Sequence, residues 1–78
     1  MRRKRIIIEL KKIIEEVIGY YILIDENTNL RSDLGMDSFS AIEMLVLLEK
    51  KFDITINPTD VVQLETLKDV VVYIQEYF

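Results

Sequence analysis

Ser38 is the residue best placed to carry chemistry in this chain. It stands in Asp33-Leu34-Gly35-Met36-Asp37-Ser38-Phe39, after a polar loop at 25–32 and before an apolar run at 41–48. A serine preceded by an acid therefore falls where a loop becomes a helix. Gly35 reaches backbone angles that other residues adopt only with strain, so it marks a tight bend before that helix. The N–H groups of a helix's first turn lack intrahelical partners, and the dipole there is positive. A phosphate joined to the Ser38 hydroxyl would lie at that terminus, where anions bind well. Other chemistry is scarce. The chain has no histidine and no cysteine, which removes the commonest general base, the commonest metal ligand and one of the best nucleophiles. Neither a disulfide nor a thiolate metal site is available. The residues point to a non-enzyme with no metal centre.

The elements that must position Ser38 follow from periodicity and caps. Residues 4–18 form an amphipathic helix, with Ile6, Leu10, Ile13, Ile14 and Val17 on one face. Glu9, Lys12, Glu15 and Glu16 fall on the other, Ile8 lies outside the apolar stripe, and Gly19 supplies a left-handed cap. Tyr20–Ile24 has strand propensity but no partner strand, so it reads as an ordered loop entry. The connection from Asp25 to Asp37 has no periodicity. Loops of that length are uncommon unless functional, and Leu30 and Leu34 are its expected pins into the core. The second helix runs from Ser38 to about Lys51. Ser40-x-x-Glu43 fits a capping box, so Ser38 and Ser40 compete as its N-cap. Asn57-Pro58 starts a short helix over 58–63, to which Val61, Val62 and the adjoining Leu64 give something to bury. Thr66 caps a last helix over 67–77, with Asp69 in its first turn and Leu67, Val70, Val71, Ile74 and Phe78 on one face. The predicted fold is all-α, a four-helix bundle of three longer helices and a short third one, in a single domain over 1–78.

The second helix is apolar on two sides. At about 100° per residue, Ala41, Met44, Leu45, Leu48 and Phe52 form one arc, the core face. Phe39, Ile42 and Val46 form the opposite arc, with Ser38 at its edge and Glu43, Glu49 and Lys50 beside them. Such a helix is either buried on both sides or presents one to a partner. The 20–24 loop could cover the second stripe, and for Ile42 both readings stand. Phe39 and Val46 are expected to be exposed.

Half of the 78 residues are hydrophobic and 31% are charged, a balance that excludes a disordered chain. The net charge of −4 argues against a nucleic-acid binder. No apolar run approaches the roughly 20 residues of a membrane span. Met1-Arg2-Arg3-Lys4-Arg5 before Ile6-Ile7-Ile8 resembles a signal-peptide start, but Glu9, Lys11 and Lys12 break it. The basic start reads first as a solvated helix end and second as a contact for an acidic partner or membrane surface. A cytoplasmic monomer is the expectation.

The motif Leu34-Gly35-Met36-Asp37-Ser38-x-x-x-Ile42-Glu43-Met44, with Glu49-Lys50-Lys51-Phe52-Asp53-Ile54-x-Ile56 after it, resembles the acyl carrier protein family, and the similarity of pattern extends along essentially the whole chain. The resemblance implies a non-catalytic carrier. A phosphopantetheinyl transferase would attach 4′-phosphopantetheine from coenzyme A to Ser38. The arm's thiol would carry acyl groups as thioesters between loading and processing enzymes of fatty acid, polyketide or related biosynthesis. This accords with a chain that has no thiol of its own, and a tethered arm keeps its cargo at high effective concentration. By the same resemblance Asp37 helps engage the transferase. The resemblance likewise makes Phe39, Glu43 and Val46 partner-facing, and Ile42 and Glu49 beside them are further partner-binding candidates. Met44, Leu48 and Phe52 are core positions, some lining an acyl cavity. Phe39 replaces the family's usual leucine, Ser40 a frequent acid, and Lys50-Lys51 a more acidic helix end. These departures favour a dedicated carrier as much as the main fatty-acid one. An aminoacyl carrier of the D-alanyl type, or a helical adaptor using Phe39, Ile42 and Val46 without a prosthetic group, are the alternatives.

Overall fold

The apolar stripe of the first segment closes onto a core that the other helices share. A computed structural model describes residues 2–23 and 25–78; Met1 of the basic start and Ile24 of the loop entry lie outside these. Helix α1 spans Arg3–Ile18, α2 spans Ser38–Phe52, a 3₁₀ helix spans Pro58–Gln63, and α3 spans Leu67–Tyr77. α1 packs on both α2 and α3, and the 3₁₀ helix packs on α2. Ile6, Leu10 and Ile14 of α1 meet Met44 and Leu48 of α2 and Val70, Val71 and Ile74 of α3 in one buried cluster. The three longer helices and the short third one are as the periodicity indicates.

The helix ends use a repeated device. Gly19 (φ 86°) and Asp53 (φ 55°) each take the left-handed conformation and donate their N–H to the carbonyls of Glu15 and Glu49. Asp is among the few residues other than glycine that tolerate that region. The same two glutamates then reach past the cap. The Glu15 carboxylate accepts the Ile22 N–H at 2.9 Å, and the Glu49 carboxylate accepts the Ile56 N–H at 2.9 Å. Ile22 and Ile56 are thereby turned into the core. Thr66 and Asp69 form a full capping box on α3, each side chain bonded to the other's backbone N–H.

Three expectations are corrected, those for Glu9, Val62 and Phe78. Glu9, assigned to the polar face of α1, is only 7% exposed. Its carboxylate is ringed by Lys51 at 3.2 Å, Arg5 at 3.5 Å and Lys12 at 3.8 Å, and Lys51 comes from α2, so the charge lies at a helix–helix seam rather than in bulk water. Val62 and Phe78 are exposed, because the six-residue 3₁₀ helix has three residues per turn and buries none of its residues, and because Phe78 lies beyond the last turn of α3. Of the two readings of the second α2 stripe, exposure holds: the 20–23 segment does not cover it. The Glu15 bond directs Ile22 inward, which leaves Tyr21 and Leu23 in solvent. Leu34 packs against the core as expected, though only partly buried, and Met36, which the sequence did not single out, is buried.

The Glu9 cluster makes an acid-stability prediction. The Lys51 ammonium bonded to Glu9 holds its pKa below the ordinary 4.5; burial opposes this, and the charges of Lys12, Lys51 and Arg5 reinforce it. A carboxylate depressed in the folded state contributes stability that is present above its unfolded pKa and lost as pH falls through the folded value. Thermal melts from about pH 7 to pH 3 should therefore show stability falling below about pH 4.5, and Glu9→Gln should lower neutral-pH stability and flatten that acid limb. An unchanged limb would show that Glu9 contributes nothing to it.

Candidate functional site

The loop that delivers Ser38 is ordered by pairing with the approach to α3. A single antiparallel bridge joins Asn29 to Thr66. The Leu30 N–H donates to the Glu65 carbonyl at 2.8 Å, and the Leu67 N–H donates to the Thr28 carbonyl at 3.1 Å. Inside the loop, the Asn29 side chain accepts the N–H groups of Arg31 and Ser32 at 2.9 Å each, and Asp33 accepts the Asn29 N–H at 2.7 Å. Leu30 and Met36 are buried beneath these turns. Gly35 (φ 72°) makes the bend, and the Met36 N–H then closes onto the Leu30 carbonyl at 3.0 Å. The Leu30, Met36 and Gly35 geometry fixes where α2 begins.

Asp37, not Ser38 or Ser40, is the N-cap of α2. Its carboxylate accepts the Ser40 N–H at 2.8 Å. Capping by Asp is as favourable as by Ser, and with Asp37 in that role Ser40 becomes the donor of the N–H, so the Ser40–Glu43 box does not form. Chiefly the Ser40 backbone N–H holds the Asp37 carboxyl below its usual range, so it is charged at neutral pH. Ser38 is then the first residue of the helix, exposed, and free of the capping duty that a serine at this place could have had.

Beside Ser38 an apolar groove of about 990 Å³ opens between α2, the 29–36 loop and the 3₁₀ helix. Its walls include Met36, Ala41, Met44, Leu45, Ile56 and Val61, and Asp37 and Ser38 stand among its lining residues. Of the three core positions expected near an acyl cavity, Met44 lines this groove. Leu48 and Phe52 do not: they lie one and two turns further along α2 and are buried in the bundle core. Glu49 is also placed differently from the expectation. It lines the groove with its carboxylate on the Ile56 N–H, holding the wall rather than facing outward.

Phe39, Ile42 and Val46 are 73%, 60% and 41% exposed. Ile42 and Val46 form a ridge, since both line the groove on one side and a smaller depression of about 420 Å³ on the other. That depression lies between α1 and α2, with Phe39, Val17 and Leu47 as apolar walls and Glu16 and Glu43 on it. Among the expected site residues, then, Ser38, Asp37, Phe39, Ile42, Glu43 and Val46 share one end and side of α2.

This arrangement fits a phosphate-linked pantetheine arm. Ser38 Oγ is an accessible hydroxyl at a helix N-terminus, which suits an attached phosphate. The groove beside it is lined mostly by hydrocarbon and so suits an apolar chain. A family model described as a phosphopantetheine attachment site matches residues 9–74. An acyl carrier protein of an Exiguobacterium species is 37% identical over 76 residues, 96% of each chain. Another, from Chlamydia caviae, is 37% identical over 68 residues, 86% of this chain and 88% of the relative. A solved structure described as a candidate acyl carrier protein from Mycobacterium tuberculosis superposes with a TM-score of 0.84 at 28% identity, over 90% of this chain and 95% of that one.

Proposed function

The chain belongs to the acyl carrier protein family, and from that premise we propose that Ser38 is the residue to which its 4′-phosphopantetheine is joined. The protein is a non-catalytic carrier with a covalently attached arm. When present, the arm supplies the thiol that the chain itself lacks, as a thioester handle for acyl groups. The single observation behind the assignment is the position of Ser38. It is exposed at the first residue of α2, beside the Asp37 cap and on the rim of the apolar groove. The polypeptide does three things there. Asp37 and the 29–36 turns hold the serine at a fixed helix end. The groove walls, including Met44, exclude water from an apolar chain laid along them. The Phe39–Ile42–Val46 ridge with Glu43 presents a surface for the enzymes that load and unload the arm.

Residues 1–78 act in this reading as one acyl carrier domain, monomeric and cytoplasmic, and its first partner is a phosphopantetheinyl transferase. A carrier acts only by meeting biosynthetic enzymes, and among the described residues no helix is long and apolar enough to cross a membrane. The cargo is an acyl group of fatty acid, polyketide or related biosynthesis. Glu49 is withdrawn to the groove wall and Lys50 and Lys51 follow it, so the acidic content of the docking surface rests on Asp37 and Glu43 of α2 and on Glu16 of α1. That supports a dedicated set of partner enzymes as much as general fatty-acid machinery.

Incubation with coenzyme A and a promiscuous transferase, followed by intact mass and peptide mapping, should add one phosphopantetheinyl group to the peptide that contains Ser38. Addition at another residue would overturn the assignment. Docking through the ridge predicts that Val46→Asp lowers kcat/KM for transfer by about tenfold or more, while the melting temperature moves by only about 2–3 °C because the site is exposed. A large fall in melting temperature with unchanged transfer would assign Val46 to the core instead.

A further inference from the structure

The carrier role uses the N-terminal end of α2 and leaves the opposite end of the bundle without a task. That end is chemically distinct. Residues 2–12 hold six of the ten Lys and Arg and one of the fourteen Asp and Glu, whereas the remainder holds four and thirteen. Their one acid, Glu9, is sunk into the seam beneath Arg5, Lys12 and Lys51, while Arg3 pairs with Glu26 and Lys11 with Glu15, so the net positive charge of this end rests on Arg2, Lys4, Arg5, Lys12 and Lys51. Arg2, Lys4, Arg5 and Lys12 are exposed. Ile8, 44% exposed, lies between Lys4 and Lys12, one helical turn from each. It belongs neither to the core cluster nor to the apolar residues packed against it.

The same end carries further apolar surface. The Tyr77 hydroxyl is bonded to Thr55, just past the α2 C-cap, so the end of α3 lies with the C-terminal end of α2, and Lys51 of α2 meets Glu9 of α1. Tyr77 and Phe78 are both exposed. A cationic helix face with an isoleucine at its centre, at a bundle end that also exposes two aromatic residues, has the composition of a surface that rests on an anionic bilayer. Nucleic acid or an acidic protein would complement the charge but not Ile8, Tyr77 and Phe78 together. We propose that the Arg2–Lys12 face of α1, with Tyr77 and Phe78, docks peripherally on anionic phospholipid. Ser38 lies at the other end of α2, about 20 Å away along a 15-residue helix. The docked protein therefore keeps its serine and ridge open to enzymes.

The test is co-sedimentation of the full chain with phosphatidylglycerol-containing vesicles and with pure phosphatidylcholine vesicles. Binding is expected on the first only, and is expected to disappear by about 0.5 M NaCl, where the Debye length is a few ångströms. The double variant Lys4→Gln/Lys12→Gln should weaken it about 25-fold, roughly fivefold for each cation removed. Ile8→Asn should weaken it about tenfold through lost apolar burial. In both variants the rate of phosphopantetheinylation in solution should stay unchanged, which separates this surface from the carrier site. Absence of binding by folded protein at low salt overturns the proposal. So does binding that is indifferent to Ile8→Asn and fully displaced by soluble polyglutamate, since that would describe a general polyanion site.

Discussion

Ser38→Ala should accept no phosphopantetheine and should fold as well as the parent. Both halves follow from the position of the serine. It is the first residue of α2, exposed, and the N-cap bond to the Ser40 N–H is made by Asp37. Removing the Ser38 hydroxyl therefore leaves the cap, the Gly35 bend and the Leu30–Glu65 and Met36–Leu30 backbone bonds intact. Surface changes away from such features usually alter stability by less than about 0.5 kcal/mol. The chemistry, in contrast, has no substitute, because the phosphoester needs that oxygen. Intact mass after incubation with coenzyme A and a transferase should show the parent fully converted and the variant unchanged, with superimposable thermal melts. A variant that still gains the arm would place the attachment elsewhere. One that fails to fold would make Ser38 a structural residue. A helical adaptor without an arm would tolerate the change in every assay.

Leu48→Ala should produce the opposite pattern, a large loss of stability with the attachment site unaltered. Leu48 is fully buried among α1, α2 and α3 and is not part of the groove wall. Truncating a buried leucine removes apolar burial and leaves a cavity, at a cost of about 2–5 kcal/mol. A 78-residue domain has little to spare, since small domains bury a smaller share of their surface and native stabilities are of order 5–15 kcal/mol. The expected fall in melting temperature is about 15 °C. Phosphopantetheinylation at a temperature where the variant is still folded should proceed as in the parent. A loss below about 1 kcal/mol would mean that the core repacks around the missing atoms. Set beside Val46→Asp, this pair separates the two apolar faces of α2 by experiment: one is held by the bundle, the other is kept for partners.

Much of this protein is legible in its sequence, and the physical reason is range. The start of the last helix at Thr66 with Asp69, the short helix at Asn57-Pro58, the Gly19 and Gly35 bends and the two-sided pattern of α2 all depend on residues within about four positions of one another. Local backbone geometry and helical periodicity decide such features. Ser38 at a loop-to-helix junction belongs with them, as does the absence of any thiol or imidazole. Tertiary structure decided what distant segments do to each other. Which of Asp37, Ser38 and Ser40 caps α2 depended on where the 29–36 loop stops, and that loop is held by the approach to α3 through Leu30 and Glu65. Glu9 is buried because Lys51 of another helix meets it, and Glu49 faces the groove because Ile56, seven residues later, needs an acceptor. The 20–23 segment leaves Phe39 and Ile42 uncovered because Glu15 turns Ile22 inward. The groove itself exists only where α2, the 3₁₀ helix and the ordered loop converge, a juxtaposition that no spacing within a single segment encodes.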